Sequence, residues 1–285
     1  MESPLAFLLV MVSVFTHSMY AALIKLSGNR LVLFGAVNGL TAVIGAALWF
    51  FVPFPSVSVI PYILCSSVAC NLMLYLSNEA YKRGDLSVAF PIRKAISFVF
   101  LVMMAKIVFN EHALWYEWIA FAMIVCGILM QTNRRELHKI QHIWPFIVMA
   151  SVGLASGLQA MIDIMGVRSA QNPFSFIVAL MFIGLPMTLW AYLTHKHNLR
   201  EVLAQQKYQI VAASLLDSLG YACFLYAVYV ARALYAVPLS SLTVVVVTLL
   251  GLYHLKESMR LRRLLSAAMI TAAIAGVHTM DIFYR

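Results

Sequence analysis

The chain has 285 residues, of which 63% are hydrophobic and 11% are charged, and its mean hydropathy is +0.88. Soluble domains are about 45–50% apolar, so this composition excludes a soluble globular fold and predicts a protein embedded in a bilayer. The formal net charge is +9 at pH 7. This charge does not indicate nucleic-acid binding, because the basic residues lie in short gaps between apolar runs, as membrane topology requires.

Ten apolar runs, which we number spans 1 to 10, follow one another along the chain between turn and charge signals. They lie near residues 4–24, 31–52, 57–80, 87–108, 113–131, 143–165, 173–193, 209–231, 234–255 and 264–284. A helix needs about 20 residues to cross a bilayer, and it satisfies its own backbone hydrogen bonds in lipid. The sequence therefore predicts an all-α integral membrane protein with ten transmembrane helices.

The distribution of Lys and Arg predicts how the chain is oriented in the membrane. Most of the 20 Lys and Arg residues fall in loops on the side opposite the N-terminus. The N-terminal side carries Lys106, Arg168, Arg232 and Arg285. Because cytoplasmic loops are enriched in Lys and Arg, we expect both termini to lie outside the cytoplasm.

The two halves of the chain share an order of features. Residues 80–91 (AYKRGDLSVAFP) align with residues 227–238 (AVYVARALYAVP), with alanine and proline at matching places. Further along, each half carries an acid, Glu111 in the first and Glu257 in the second. This shared order predicts that the chain contains two copies of one repeat.

Each predicted repeat holds five spans, and an odd number of spans requires the two copies to have opposite orientations in the membrane. We expect the first repeat to cover residues 1–138 and the second to cover residues 139–285, joined as one membrane domain. Inverted repeats are a common transporter design, with the substrate site near the bilayer midplane where the halves meet.

Three segments are similar to a known transporter family. They are HSMYAALIK at residues 17–25, YKRGDLSVAFPI at 81–92 and DIMGVR at 163–168. With two inverted five-helix halves, they resemble the EamA family of the drug/metabolite transporter (DMT) superfamily, and within it a subgroup of membrane proteins associated with phosphonate utilisation. The resemblance covers nearly the whole chain and implies a multi-pass transporter of the plasma membrane, which is the inner membrane in bacteria.

The chain departs from that subgroup at two places. Tyr20 and Ala21 stand where an aromatic residue and Asn are expected, and Ser240 and Ser241 stand where Arg and Glu are often found. The substrate is therefore not carried over from the resemblance. Characterised ten-helix relatives are usually drawn with cytoplasmic termini, whereas the loops of this chain predict the opposite orientation.

Arg93 and Lys94 lie within span 4, and ionisable side chains inside a span are functional candidates by default because they are costly in lipid. Adjacent helical residues point about 100° apart, so at least one of the two should reach the protein interior. Both are predicted to bind substrate, as anion partners. The alternative is that their long side chains snorkel to the headgroups on the cytoplasmic side.

Asp217 in span 8 lies at a depth similar to Lys94 and Arg93 and could face them. It would then form a structural ion pair, or else act as a carboxylate that couples transport to protons or binds substrate. His17, near the middle of span 1, can titrate near neutral pH and hydrogen-bond a substrate, although it could equally be a packing residue. We predict that His17 and Tyr20 belong to the substrate site.

Four further residues are predicted to shape the helices. Pro91 in span 4 and Pro238 in span 9 each remove a backbone donor and either open a helix near the site or only kink it. Asp163 and Arg168, at the end of span 6, are predicted to form a cap or a gate near the external face.

Catalytic motifs such as H-E-x-x-H, G-x-S-x-G and a phosphate-binding P-loop do not occur. We therefore expect no enzymatic activity, no cofactor and no metal. The function predicted is secondary transport of a small anionic or zwitterionic metabolite. The alternative is a lipid-handling or partner-binding membrane subunit that turns over no solute.

The expected partners are the small-molecule substrate and membrane lipid. Two G-x-x-x-G spacings, Gly35 with Gly39 and Gly153 with Gly157, predict close helix contacts within the fold or between subunits. The protein is accordingly expected to be a monomer or a homodimer.

Overall fold

The computed structural model describes residues 3–25, 30–83, 86–131, 143–253 and 261–284, and these ranges are helical without any strand. The helices of the first half are α1 (Pro4–Lys25), α2 (Arg30–Leu48), α3 (Ile60–Arg83), α4 (Leu86–Val108) and α5 (Trp115–Met130). The helices of the second half are α6 (Ile143–Ser169), α7 (Pro173–Leu180), α8 (Leu185–Thr194), α9 (Lys196–Gln205), α10 (Lys207–Val230), α11 (Ala233–Ser240), α12 (Leu242–Tyr253) and α13 (Leu261–Tyr284). A 3-10 turn, Val57–Val59, precedes α3.

Seven segments of these described ranges are long and apolar enough to cross a membrane. They are Pro4–Ile24, Val57–Ser77, Phe146–Ser169, Pro173–Thr194, Lys207–Val230, Ala233–Leu250 and Leu261–Met280. Helices α2 and α5 are apolar but shorter, and α4 carries three cations along its length. The chain is a multi-pass membrane protein, and the count of ten spans stays a prediction.

Two predicted spans are each divided into two helices. Span 7 consists of α7 and α8, and the carbonyl of Ile183 between them accepts hydrogen bonds from Ser67 Oγ (2.9 Å) and Asn71 Nδ2 (2.8 Å) of α3. Span 9 consists of α11 and α12, and the break follows shortly after Pro238. By contrast, α4 continues through Pro91 without interruption.

The helices pack mainly across the two halves. Helix α1 lies along α10, and α3 lies along α6; α4 packs on α6, and α11 and α12 pack on α1. Helix α5 packs on α13, and α2 packs on α8. These contacts are symmetric between the halves. If every span of one half is replaced by the corresponding span of the other half, five places away, the same pairs of spans are in contact. Because the two halves supply each other's packing partners, they form a single helical body.

The two predicted glycine pairs lie where helices pack closely. A Cβ atom at Gly35 would lie 2.6 Å from the Cβ of Ala191 in α8, and one at Gly157 would lie 2.8 Å from the Phe100 ring in α4. The predicted close contacts are therefore confirmed, and they lie within the fold. Asp85, within the segment 81–92, and Glu257 lie outside the described residues.

Candidate substrate cavity

A cavity of about 730 Å³ lies between the two halves of the chain. Helices α1 to α4 line it from the first half, and α6, α7, α10, α12 and α13 line it from the second. Six residues that the sequence singled out are in its wall, namely His17, Tyr20, Pro91, Arg93, Lys94 and Asp217. Asp163, Arg168 and Pro238 do not line it.

The cavity extends toward the side of the molecule opposite the N-terminus. Its lining includes Gln131 at the end of α5 and Arg263 in the first turn of α13. Helices α1 and α10 are antiparallel, because Gln209 near the start of α10 bonds the Leu23 carbonyl near the end of α1 (2.6 Å). The end of α10 therefore lies beside the start of α1, away from the cavity.

Arg93 and Lys94 both face this cavity, although the helix places them about 100° apart. The Nε atom of Arg93 is buried and has no hydrogen-bond partner. Among the described residues, no ion pair includes either cation. Among the described residues of the wall, Asp217 is the single carboxylate. This excess of positive charge suits an anionic group.

His17 and Asp217 approach each other across the cavity. His17 Nε2 lies 4.0 Å from Asp217 Oδ1. On its other side, Nδ1 of the ring lies 3.1 Å from both the carbonyl oxygen and the hydroxyl of Ser13. A proton on Nε2 would face the carboxylate, and a protonated His17 would form an ion pair with it. The predicted pairing of Asp217 with Lys94 or Arg93 is not made, and Asp217 faces His17 instead.

Asp163 and Arg168 have different partners in the structure, and their role as a cap or a gate stays a prediction. Asp163 is fully buried, and its Oδ2 accepts a hydrogen bond from the Tyr221 hydroxyl of α10. Arg168 instead turns toward the end of α10, where it donates to the carbonyls of Val228 and Ala231 at 2.9 Å. The two side chains leave α6 in different directions because five residues separate them, which is more than one helical turn.

Arg168 belongs to a set of cross-half ion pairs that we call the clamp, formed by Glu111, Glu117, Arg168 and Arg232. Arg168 Nη1 lies 3.0 Å from Glu111 Oε1, and Arg232 Nη2 lies 3.2 Å from Glu117 Oε1. The clamp ties the α4–α5 loop and the first turn of α5 to the end of α6 and to the N-cap of α11 in the second half. It lies on the N-terminal side, at the opposite end of the molecule from the cavity mouth.

Glu111 also holds the start of α11. Its carboxylate accepts the backbone N–H groups of Ala233 (2.9 Å) and Leu234 (2.8 Å), which otherwise have no partner in the first turn of a helix. A carboxylate also suits the positive end of the helix dipole. The structure thus uses Glu111 as a cap for a helix in the other half of the chain.

Tyr221 was missed by the sequence reasoning, although a signal for it exists. It lies four residues after Asp217 in α10, and residues spaced by four share one helical face. Both line the cavity. A polar aromatic residue one turn from an intramembrane carboxylate is therefore a useful pointer to such a site.

Comparisons with known proteins agree with this architecture. Residues 143–279 match the EamA-like transporter family. A solved structure described as "Crystal structure of protein" has the same fold, with a TM-score of 0.76 and 13% sequence identity, covering 96% of this chain and 97% of that chain. No curated protein sequence matches this chain.

Proposed function

Since residues 143–279 match the EamA-like transporter family, we propose that the protein is a secondary transporter of a small anionic or zwitterionic metabolite. The observation that carries the proposal is the cavity between the halves. Arg93 and Lys94 lie in its wall, and neither is paired among the described residues. Unpaired charges inside a membrane protein are costly unless they serve a ligand or water.

Each end of an anionic or zwitterionic substrate would find a partner in this cavity. Lys94 and Arg93 would bind the carboxylate, phosphate or phosphonate group, because both are strong donors for anions. Asp217 and His17 would bind an ammonium group or exchange a proton with the substrate. Tyr20, whose side chain lines the same wall, would contact the substrate from α1.

Alternating access is supported by the contrast between the two ends of the molecule. The cavity extends toward the Lys- and Arg-rich side, whereas the clamp joins the two halves on the N-terminal side. In the proposed cycle the clamp opens when the cavity mouth closes, and Arg168 acts as the gate. The exchange of neighbours between halves supports two inverted five-helix repeats, residues 1–138 and 139–285, around the site.

We also propose the membrane and the orientation. The protein would lie in the plasma membrane, which is the inner membrane of a bacterium, with both termini outside the cytoplasm. The positive-inside rule supports this orientation. The cavity would then open to the cytoplasm in the described conformation.

Substitution of the two cations tests the substrate site. Purified protein is first screened by ligand-induced thermal shift against carboxylates, phosphates, phosphonates and amino acids, and each hit is tested for uptake into liposomes. Lys94→Met and Arg93→Met keep an unbranched apolar side chain and remove the charge together with its N–H donors. Losing one charged hydrogen bond costs about 1.5–3 kcal/mol, so we expect affinity to fall about ten- to a hundredfold.

Lys106→Met is the matched control. Lys106 is on the same helix, but it is exposed and its Nζ lies 5.4 Å from the centre of the Trp118 ring, outside the cavity. This variant should keep the affinity of the unmodified protein. Equal affinity in all three variants would refute the anion site. Absence of saturable uptake, together with tight co-purification of lipid or a partner, would favour a lipid-handling or assembly subunit instead.

A further inference from the structure

Asp163 is a carboxylate enclosed in the membrane interior without a cation. Its side chain is fully buried between α3, α6 and α10. One oxygen, Oδ2, accepts from the Tyr221 hydroxyl, whereas Oδ1 is buried and has no hydrogen-bond partner. No ion pair within the described part of the chain includes Asp163. An isolated buried carboxylate is much less costly when it carries a proton.

The groups that face Asp163 do not supply a compensating charge. On α3 the neighbours are the Ser66 hydroxyl, which can turn its O–H toward the carboxylate, and the thiol of Cys70. On α6 itself Gln159 flanks the carboxylate. On α10 the neighbour is Tyr221, which donates its own hydroxyl proton to the hydrogen bond.

The other elements packed against α6 bring no charge to the carboxylate. Helix α4 meets α6 at Gly153 beside Arg93 and at Gly157 beside Phe100, so its cavity cations lie more than two turns of α6 away from Asp163. Helix α7 (PFSFIVAL) and the 3-10 turn (VSV) contain no titratable side chain. The nearest cation along α6, Arg168, is held by Glu111.

Tyr221 connects this hidden carboxylate to the cavity. Its side chain is part of the cavity wall, while its hydroxyl bonds Asp163 behind that wall. Its ring also stands edge-on to His17, with centroids 6.4 Å apart. His17 in turn faces Asp217 at 4.0 Å. Four titratable groups therefore form a continuous row from the buried site to the substrate space.

We propose that Asp163 is a proton-binding site linked to the cavity through Tyr221, and that it couples transport to protons. The proton resides on Oδ1, so that Oδ2 remains free to accept from Tyr221. When the proton leaves, a negative charge appears behind the wall of a cavity that binds an anion, and this charge repels the substrate. Proton and anion therefore favour each other's binding. The coupling rests on the proposed transport function, whereas the proton site does not.

Infrared spectroscopy tests the proton site without a substrate. At neutral pH the protein should show the C=O stretching band of a protonated carboxylic acid, with the small shift expected in ²H₂O. The band should vanish in Asp163→Asn and should move to higher frequency in Tyr221→Phe, because the carbonyl oxygen loses its donor. It should survive in Asp217→Asn, the control from the cavity wall.

Three results would overturn the proton site. They are the absence of the band in the unmodified protein, its persistence in Asp163→Asn, and its removal by added Na⁺, which would assign the site to a metal cation. Tyr221→Phe keeps the test decisive if Asp163→Asn does not fold, since an unshifted band in that variant would also contradict the assignment.

Coupling is tested in liposomes with the labelled solute identified by the uptake screen. A difference of one pH unit corresponds to about 1.4 kcal/mol per proton, which sustains about a tenfold concentration difference of solute. We expect the concentration difference of solute to disappear in Asp163→Asn. It should persist in Glu201→Gln, a carboxyl-to-amide control at an exposed position of α9. If the unmodified protein exchanges solute at the same rate and to the same level with and without a pH difference, coupling is refuted and the proposed transport function is not. If no solute moves at all, the proposed function fails, and the infrared band still decides the proton site.

Discussion

Weakening the clamp at Glu111 should shift the molecule toward opening on its N-terminal side. Glu111→Gln keeps the shape of the side chain but removes the ion pair with Arg168 at 3.0 Å. In the unmodified protein, Ala233 N–H donates to one carboxylate oxygen of Glu111 and Leu234 N–H donates to the other. In the variant, a single amide oxygen remains to accept from these two groups. The loss of one charge-assisted hydrogen bond is worth about 1.5–3 kcal/mol. Since 1.4 kcal/mol is a factor of ten, the ratio of closed to open molecules should fall about ten- to a hundredfold.

Labelling of a native cysteine measures this shift. Cys70 lines the cavity and is 7% exposed, so it should react with an impermeant maleimide from the N-terminal side only when the clamp opens. With Cys65, Cys126 and Cys223 replaced by Ser, we expect labelling from that side to become about tenfold faster or more in Glu111→Gln, because the rate follows the open population.

The control for this experiment is a Glu→Gln change away from the clamp. Glu201→Gln, in α9, should leave the labelling rate unchanged. Equal rates in Glu111→Gln and the unmodified protein would refute the reasoning. That result would mean that the two halves stay closed through apolar packing alone and that the ion pairs contribute little.

Three further predictions concern packing, the gate and orientation. Gly153→Ala should lower the free energy of unfolding by about 1–3 kcal/mol, because the added Cβ would lie 2.9 Å from the Arg93 carbonyl oxygen. Thermal unfolding in detergent measures this loss. Gly276→Ala is the neutral control, because a Cβ there would have no atom within 4 Å. Arg168→Lys should speed labelling of the cavity thiol as Glu111→Gln does, since lysine cannot reproduce three donors in a fixed plane. A reporter fused after Arg285 should be active only outside the cytoplasm; a purely cytoplasmic signal would make the predicted orientation wrong.

The sequence by itself determined the membrane-embedded helical character of the protein. Long apolar runs can satisfy their backbone in lipid only as helices, so run length and composition were sufficient for that conclusion. The cost of placing polar groups in lipid also identified residues of the cavity wall. Because intramembrane charges must face a partner, water or a ligand, Arg93, Lys94 and Asp217 could be singled out before any contact was known, and all three line one cavity.

Only the tertiary structure decided which charged groups meet. The sequence assigned Asp163 and Arg168 to one cap or gate, whereas the structure joins Asp163 to Tyr221 and Arg168 to Glu111. The physical reason is that helices of one half pack chiefly against helices of the other, so a side chain's neighbours come from distant parts of the chain. Local spacing fixes the face of a helix on which a residue lies, but the partner on that face depends on which helix packs there.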